Sequence, residues 1–291
     1  MTFNPDSDIS GGKASRRGRN TGIAVGGGLG AIALFLVSQF LGIDLTGLVG
    51  GGGGGAPVAS DSALEECQTG QDANERIDCR MVGASASLED FWQSESPNIG
   101  LTYSPPQDFI LFEQAVSTGC GNASSATGPF YCPPDQTIYI DTSFYDQLES
   151  QFGASGGPLA EMYVVAHEWG HHIQNIAGVL SRAQDGQTGP TSNAVRVELQ
   201  ADCFAGAWAA AASQTTDERG VPFLQPITRD EYSDAISAAA AVGDDRIQET
   251  MQGQVNPHTF THGSSEQRVR WFETGYQEGA GACDTFSVNQ L

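Results

Sequence analysis

The sequence predicts an α+β fold in which a mainly helical domain with a small sheet is preceded by a single transmembrane helix. Three observations support this prediction. Residues 22–43 form an uncharged apolar run, and about 20 such residues suffice for a helix to cross a bilayer. Several later stretches carry apolar residues at helical spacing. Residues 136–141 instead read QTIYID, whose β-branched and aromatic residues favour a strand.

The charges around the apolar run predict how the chain is placed in a membrane. A basic cluster precedes the run, made of Lys13, Arg16, Arg17 and Arg19, and Asp44 follows it. The positive-inside rule then keeps the N-terminus in the cytoplasm and exports everything after Asp44, to the periplasm or the cell surface. A cleaved signal peptide is the rival interpretation, although the run exceeds a usual signal core and no small-x-small site adjoins it.

The chain therefore divides into four segments: a basic cytoplasmic tail at 1–20, interpreted as disordered, a transmembrane anchor at 21–43, a glycine-rich linker at 44–59 and a folded domain at 60–291. In the folded domain we predict strands over 108–112 and 136–141, and helices over 65–81, 88–92, 158–178, 193–212 and 266–276, with another after Thr228. Capping-box spacings at Thr228 with Glu231 and at Ser264 with Gln267 mark two helix starts.

The charge balance excludes one class of partner. The chain has 35 acidic and 13 basic residues, a formal net charge of −22, and its only lysine lies before the apolar run. A surface this acidic repels a phosphate backbone, so we predict that the protein does not bind nucleic acid. The expected partners are a membrane, through the N-terminal anchor, and a peptide or protein substrate. The sequence does not specify an oligomeric state.

All six cysteines follow the apolar run: Cys67, Cys79, Cys120, Cys132, Cys203 and Cys283. An even number confined to the exported part predicts disulfides that form in an oxidising compartment. The first and second cysteines bracket a short, turn-rich segment, and so do the third and fourth. The fifth is then left to pair with the sixth.

The predicted helix over 158–178 carries the motif HEWGH at positions 167–171. Residues four apart lie on one face of a helix, so His167 and His171 can reach the same zinc ion. Glu168 projects beside them, where a carboxylate can act as general base toward zinc-activated water. The alternative is a solvated helix face that carries these residues by chance. Apolar residues around the motif argue against it, because they indicate a buried helix, where unpaired charge is costly.

A catalytic zinc usually has three protein ligands, so one further donor is expected. The best candidate is Glu198, on the next predicted helix. Asp202 shares its helix face and can accept a hydrogen bond from the far ring nitrogen of His167, which would orient that ring. The alternative for this acidic pair is a salt-bridging surface face toward Arg196. We predict that His167, His171 and Glu198 hold one Zn²⁺ per chain.

The remaining candidates lie around this motif. His172 adjoins it but points about 100° away around the helix, which indicates a packing or supporting role. A hydrolytic site also needs a donor for the developing oxyanion, and a side chain on the loop before a helix can supply one. His262 and Arg268 are the two candidates for this catalytic role. A surface or capping histidine is the alternative interpretation of His262.

Five motifs occur here in the order typical of one bacterial family: residues 119–133, 135–141, AHEWGHHIQN at 166–175, ELQADCFAG at 198–206 and THGSSEQRVRWFETGY at 261–276. Over nearly the whole part after the apolar run, the chain resembles the neutral zinc metallopeptidases of the YpfJ-like type. The resemblance implies a zincin fold with a glutamate ligand, in which zinc is bound by His167, His171 and Glu198, Glu168 is the base and Asp202 lies behind the histidines. Residues 262–268 also resemble a His-Pro-x-x-x-x-Arg element of membrane-linked peptidases, with glycine in place of the proline.

These residues predict a zinc-dependent hydrolase, an endopeptidase of weak sequence selectivity. Zinc polarises the scissile carbonyl in this scheme, while Glu168 takes a proton from the bound water and passes it to the leaving amine. The strand at 136–141 is expected to form the sheet edge along which an extended peptide lies. Two alternatives stay open: an anchored scaffold or binding module with a structural zinc, and a zinc amidase that acts on a cell-wall component.

Overall fold

A computed structural model describes residues 2–17 and 61–291. The strands of this part are β1 (Ala14–Arg17), β2 (Asp61–Ala63), β3 (Asp108–Phe112), β4 (Ala115–Thr118), β5 (Gly121–Ser124), β6 (Phe130–Cys132) and β7 (Thr137–Asp141). Its helices are α1 (Gly70–Glu75), α2 (Ile77–Glu95), α3 (Ser143–Ser150), α4 (Pro158–Ile176), α5 (Asn193–Ala211), α6 (Arg229–Ala241), α7 (Asp244–Gln252) and α8 (Ser265–Glu278). The prediction of a mainly helical α+β fold with a small sheet is confirmed.

Five of the strands form one mixed sheet in the order β2, β1, β3, β7, β6. The three inner strands are parallel, and each outer strand is antiparallel to its neighbour. Strand β7 is therefore interior, and the prediction that residues 136–141 form the substrate-binding edge is wrong. In the described part of the chain the two edges of this sheet are β2 and β6. The sequence did not indicate this because a three-residue strand is too short to carry a periodic signal.

Strands β4 and β5 form a separate antiparallel hairpin. Its tip is joined to the end of β6 by the disulfide between Cys120 and Cys132. A small buried core fills the space between the hairpin and the sheet, and it includes Ile110, Val116 and Phe130. The hairpin is thus fastened to the edge strand both covalently and by packing.

The main core lies between the other face of the sheet and the helices. Helix α4 packs against α2, α5 and α6, and α5 packs closely against α8. A Cβ atom at Gly275 of α8 would lie 1.8 Å from the carbonyl oxygen of Cys203 in α5, so only glycine allows the two backbones this approach. The disulfide between Cys203 and Cys283 holds the same two regions together.

The structure contains the three disulfides that the sequence predicts. They join Cys67 to Cys79, Cys120 to Cys132 and Cys203 to Cys283. All six cysteines are therefore paired. Three bridges of this kind are typical of proteins that fold in an oxidising compartment.

Residues 2–17 are ordered against the domain, which corrects the prediction that the tail is disordered. Phe3 and Ile9 are fully buried, and β1 is hydrogen-bonded between β2 and β3. The prediction of disorder rested on the polar composition of this segment. Two buried side chains and paired backbone groups are enough to fix such a segment to the surface of a folded domain. The predicted anchor at 21–43 and linker at 44–59 lie outside the described residues.

Among the helices that the structure describes, none combines the length and the apolar character needed to cross a membrane.

Candidate zinc centre

Helix α4 carries the HEWGH motif into the interior of the protein. His167, Glu168 and His171 are each only 6 or 7% exposed, and the two imidazole centroids are 4.7 Å apart. Helix α5 packs against this turn. A Cβ atom at Gly170 would come within 3.0 Å of the backbone of Ala201, so the glycine of the motif brings α5 close to the histidines.

Glu198 of α5 completes a group of three donors. Its Oε2 lies 3.2 Å from Nε2 of His167, and its Oε1 lies 3.4 Å from Nε2 of His171. The ligand atoms of all three side chains lie within 4.8 Å of one another, and all three side chains are buried. Tetrahedral zinc with bonds of about 2.05 Å places its ligands roughly 3.3 Å apart. The spacing and the chemistry of the donors therefore fit one zinc ion.

His167 is oriented from behind by a carboxylate. Its Nδ1 lies 2.8 Å from Oδ1 of Asp202, which also accepts from the Tyr163 hydroxyl at 2.5 Å. The Arg268 guanidinium donates to both oxygens of the same carboxylate, at 2.8 and 2.9 Å. With Nδ1–H donating to Asp202, Nε2 faces Glu198, and this atom presents a lone pair to a metal ion once the imidazole has lost its second proton.

His171 is oriented by an amide. Its Nδ1 lies 2.8 Å from Oε1 of Gln174, one turn further along α4. The amide nitrogen of Gln174 donates to the carbonyl oxygen of Val197 at 2.6 Å and to the side chain of Gln200 at 3.1 Å. Since the amide oxygen can only accept, Nδ1 of His171 carries the proton and Nε2 carries the lone pair.

Burial and neighbouring charges shift the pKa values of the three donors in different directions. Burial lowers the pKa of His167, but the Asp202 carboxylate outweighs it and raises that pKa to about 9. Burial lowers the pKa of His171 to about 4. Burial opposes the charge on Glu198, yet the neighbouring imidazoles, first that of His171, hold its pKa well below the usual range. The site thus keeps a carboxylate charged beside two imidazoles, which favours a bound cation.

The Glu168 carboxyl group lies against the edge strand. The nearby backbone N–H of Tyr131 in β6 acts to lower its pKa. Burial raises the pKa of Glu168 to about 7, and the Glu198 charge acts in the same direction while His167 opposes it. A carboxyl group that titrates near neutral pH can both take up and return a proton.

His172 lies on a different side of α4 and connects the helix to β6. Its Nε2 is 2.7 Å from the carbonyl oxygen of Ser104, and its Nδ1 is 3.0 Å from the hydroxyl of Tyr131. A carbonyl can only accept, so Nε2 donates to it and Nδ1 accepts from the hydroxyl. Asn175 donates to the same hydroxyl at 2.9 Å. His172 therefore supports the edge strand and points away from the three donors.

Asp244, the first residue of α7, fixes the loop that carries His262. Its Oδ2 accepts the backbone N–H groups of Thr261, His262 and Gly263 at 2.7, 2.7 and 3.0 Å. Its Oδ1 lies 3.1 Å from Nδ1 of His262. One buried carboxylate therefore holds both the loop backbone and the imidazole.

This loop rests on the turn of α5 that carries Glu198. A Cβ atom at Gly263 would lie 3.2 Å from the side chains of Val195 and Leu199, which flank Glu198 on α5. The charge of His262 also contributes to the low pKa of Glu198, as expected for neighbours. Arg268 instead donates to Asp202, behind His167. The structure thus places His262 beside the donors and Arg268 on the far side of the histidine.

The model of one protein family, described as "Putative neutral zinc metallopeptidase", matches residues 5–286. The chain belongs to this family. It is 52% identical over 236 residues to Rv2575 of Mycobacterium tuberculosis, which covers 80% of this chain and 79% of that protein. It is 38% identical over 266 residues to YpfJ of Escherichia coli K12, covering 89% and 86% of the two chains. Both relatives are named uncharacterized proteins, and no solved structure matches the chain.

Three residues of this candidate site were not predicted from the sequence. Tyr163 lies four positions before His167, and Gln174 lies three positions after His171, so helical spacing could have indicated both. Asp244 offers no comparable signal. It lies on another helix, and only tertiary packing brings it to His262.

Proposed function

We propose that this chain is a zinc-dependent endopeptidase in which His167, His171 and Glu198 hold one Zn²⁺ and Glu168 is the general base. One observation carries the proposal: three buried donors from two helices lie within 4.8 Å of one another, with their ligand atoms at separations that suit zinc. Membership of the neutral zinc metallopeptidase family supports both the metal and the class of reaction. A zincin-like architecture around the motif belongs to the same proposal.

Zinc bound by these donors would supply a Lewis acid that polarises a carbonyl group and acidifies a water molecule. Glu168 accepts a proton from the attacking water and returns it to the leaving amine. Its buried position against β6 and its pKa of about 7 support both steps.

His262 is proposed to donate a hydrogen bond to the oxygen of the scissile carbonyl as negative charge develops there. Its place beside Glu198 supports this role. Asp244 accepts from Nδ1 of the same ring, which directs Nε2 to the opposite side. A donor fixed before the reaction stabilises the transition state without reorganising.

The substrate is proposed to be a peptide or protein that binds in an extended conformation beside β6. This strand pairs with β7 along one side and is the last strand of the sheet, and the backbone N–H of Tyr131 in it is close enough to Glu168 to affect the pKa of that carboxyl group. An extended chain that adds to such an edge gains main-chain hydrogen bonds and lies next to the base. Main-chain pairing of this kind favours weak sequence selectivity.

We also propose that the folded domain works outside the cytoplasm, linked to a membrane. The three disulfides support an oxidising compartment. The uncharged apolar run at 22–43 supports attachment to the membrane.

The exchange Glu168→Gln in the full chain tests the assignment of the base. The amide keeps the shape of the side chain but cannot accept a proton, so hydrolysis of casein should fall by about 10²-fold or more while zinc content stays near one per chain. Zinc is measured by plasma mass spectrometry, and digestion is compared with and without a chelator. Glu266→Gln, at an exposed position of α8, is the matched control. Full activity in Glu168→Gln, or chelator-resistant digestion, would contradict the proposal.

A further inference from the structure

We infer that residues 2–17 are an integral part of the folded domain and lie in the same compartment as residues 61–291. The inference rests on contacts of the N-terminal segment alone and does not depend on the proposed peptidase activity. It differs from the topology that the sequence predicts, in which a single membrane crossing separates a cytoplasmic tail from an exported domain.

Strand β1 lies inside the sheet. Ser15 is opposite Ala63 of antiparallel β2 and opposite Ile110 of parallel β3. In the described part of the chain, β2 has no other strand partner, and removing β1 would expose the edge of β3. An exposed strand edge leaves backbone donors and acceptors unpaired and promotes aggregation. The domain thus needs β1 to complete its sheet.

The residues before β1 are anchored in the helical core. Phe3 is fully buried, and a Cβ atom at Gly83 of α2 would lie 2.5 Å from its ring, so the helix has a glycine where the ring packs. The Asn74 side chain accepts from the backbone N–H of Phe3 and donates to its carbonyl oxygen, both at 3.0 Å. The Asn74 side chain thus satisfies both backbone polar groups of Phe3 and fixes the position of this residue.

The same segment is hydrogen-bonded to a part of the chain more than two hundred positions away. The backbone N–H of Asn4 donates to the carbonyl oxygen of Phe223 at 2.9 Å, and that of Gln225 donates to the carbonyl oxygen of Thr2 at 2.8 Å. The backbone N–H of Asp8 donates to the Asp217 carboxylate at 2.9 Å. These bonds fix the segment at several independent points.

The basic residues of the segment are also engaged by the domain. Lys13 lies 3.9 Å from the Glu89 carboxylate, Arg16 is paired with Asp78, and Arg17 donates to the carbonyl oxygen of Ser117 at 3.2 Å. The positive-inside rule predicts topology from lysine and arginine residues that lie beside a membrane-spanning segment. Here they lie on an acidic folded surface, so they are a weaker guide to topology than the sequence suggests.

The pairing of β1 with β2 restricts how the chain can be placed relative to a membrane. Arg17 and Asp61 are directly opposite each other in neighbouring strands. A single crossing between these two residues would place the strands on opposite sides of a bilayer, where they could not form hydrogen bonds. The two described parts of the chain therefore occupy one side.

Cysteine labelling of the full chain tests this inference. Ser10→Cys and Ser181→Cys place a thiol at exposed serines of the two described parts, and the native cysteines are all in disulfides and do not react. Each variant is expressed in bacteria, and spheroplasts are treated with a membrane-impermeant maleimide before and after lysis. We expect the labelled fraction of Ser10→Cys to equal that of Ser181→Cys, both before and after lysis. Labelling of Ser181→Cys in intact spheroplasts, with Ser10→Cys reacting only after lysis, would overturn the inference.

Discussion

At the scale of single residues, the candidate site depends on which ring nitrogen of each histidine carries the proton. Asp202 and Gln174 each accept from Nδ1, so both Nε2 atoms face Glu198. The sequence predicted the cluster because a spacing of four residues on a helix places side chains on one face. Helical spacing also places Gln174 one turn beyond His171, but spacing alone does not distinguish an amide that orients a ligand from any other polar residue of a helix.

His262 permits a sharp test at this scale. Removing one donor to a developing oxyanion typically lowers kcat by about 10²- to 10³-fold, and we expect this loss for His262→Gln with zinc content unchanged. His258→Gln is the matched control, because His258 is exposed and lies on the same loop. Steady-state kinetics on one peptide substrate and metal analysis decide the outcome. Equal kcat for the two variants would remove His262 from the proposed mechanism.

At the scale of elements, helix starts were predictable and strand neighbours were not. The capping boxes at Thr228 with Glu231 and at Ser264 with Gln267 are both present, so local side-chain bonds mark where α6 and α8 begin. The predicted helices at 65–81 and 88–92 instead form α1 and the single long helix α2. Strand order depends on contacts between distant parts of the chain, and for that reason β7 was wrongly predicted as the edge.

The disulfide between Cys120 and Cys132 is expected to position the edge strand for substrate. Replacing both cysteines by serine should raise KM because β6 loses its attachment to the hairpin. The pair Cys67 and Cys79 is a matched control, since it has the same sequence separation of 12 and joins the segment before α1 to α2. Chain entropy predicts a similar loss of stability, about 3 kcal/mol, for each double variant.

Peptidase kinetics and denaturant unfolding, measured on both double variants, separate the two effects. A rise in KM confined to the Cys120 and Cys132 variant supports the role of β6 in binding substrate. An equal change in KM for both double variants would show that the disulfide acts only through general stability.

At the scale of the whole molecule, the N-terminal segment is where prediction from sequence was least successful. The sequence ASRR of β1 has no apolar alternation, and its partner β3 is far away along the chain. Its strand conformation is imposed by the sheet that it joins, which propensity cannot reveal. Local patterns, by contrast, were sufficient for the fold class and for the disulfides. Apolar spacing indicated the helices, and two disulfides close segments of only 12 residues, which left the last two cysteines to pair with each other.

Phe3→Ala tests whether this segment stabilises the whole domain. Removing a fully buried phenylalanine usually costs about 3–5 kcal/mol, and we expect a loss of this size in the free energy of unfolding of the full chain. Ser10→Ala, at an exposed position of the same segment, should change stability by less than about 0.5 kcal/mol. Chemical denaturation monitored by tryptophan fluorescence measures both. Equal stability of Phe3→Ala and the unmodified chain would show that the segment is not part of the cooperative fold.

The central claim is that two imidazoles and one carboxylate from neighbouring helices hold a single zinc ion. An anomalous difference map recorded at the zinc absorption edge, from crystals of the purified full chain, tests it most directly. The account predicts one peak at about 2.0–2.2 Å from His167 Nε2, His171 Nε2 and a Glu198 carboxylate oxygen. A map with no peak between these three side chains, or with zinc bound elsewhere and Glu198 uncoordinated, would contradict it.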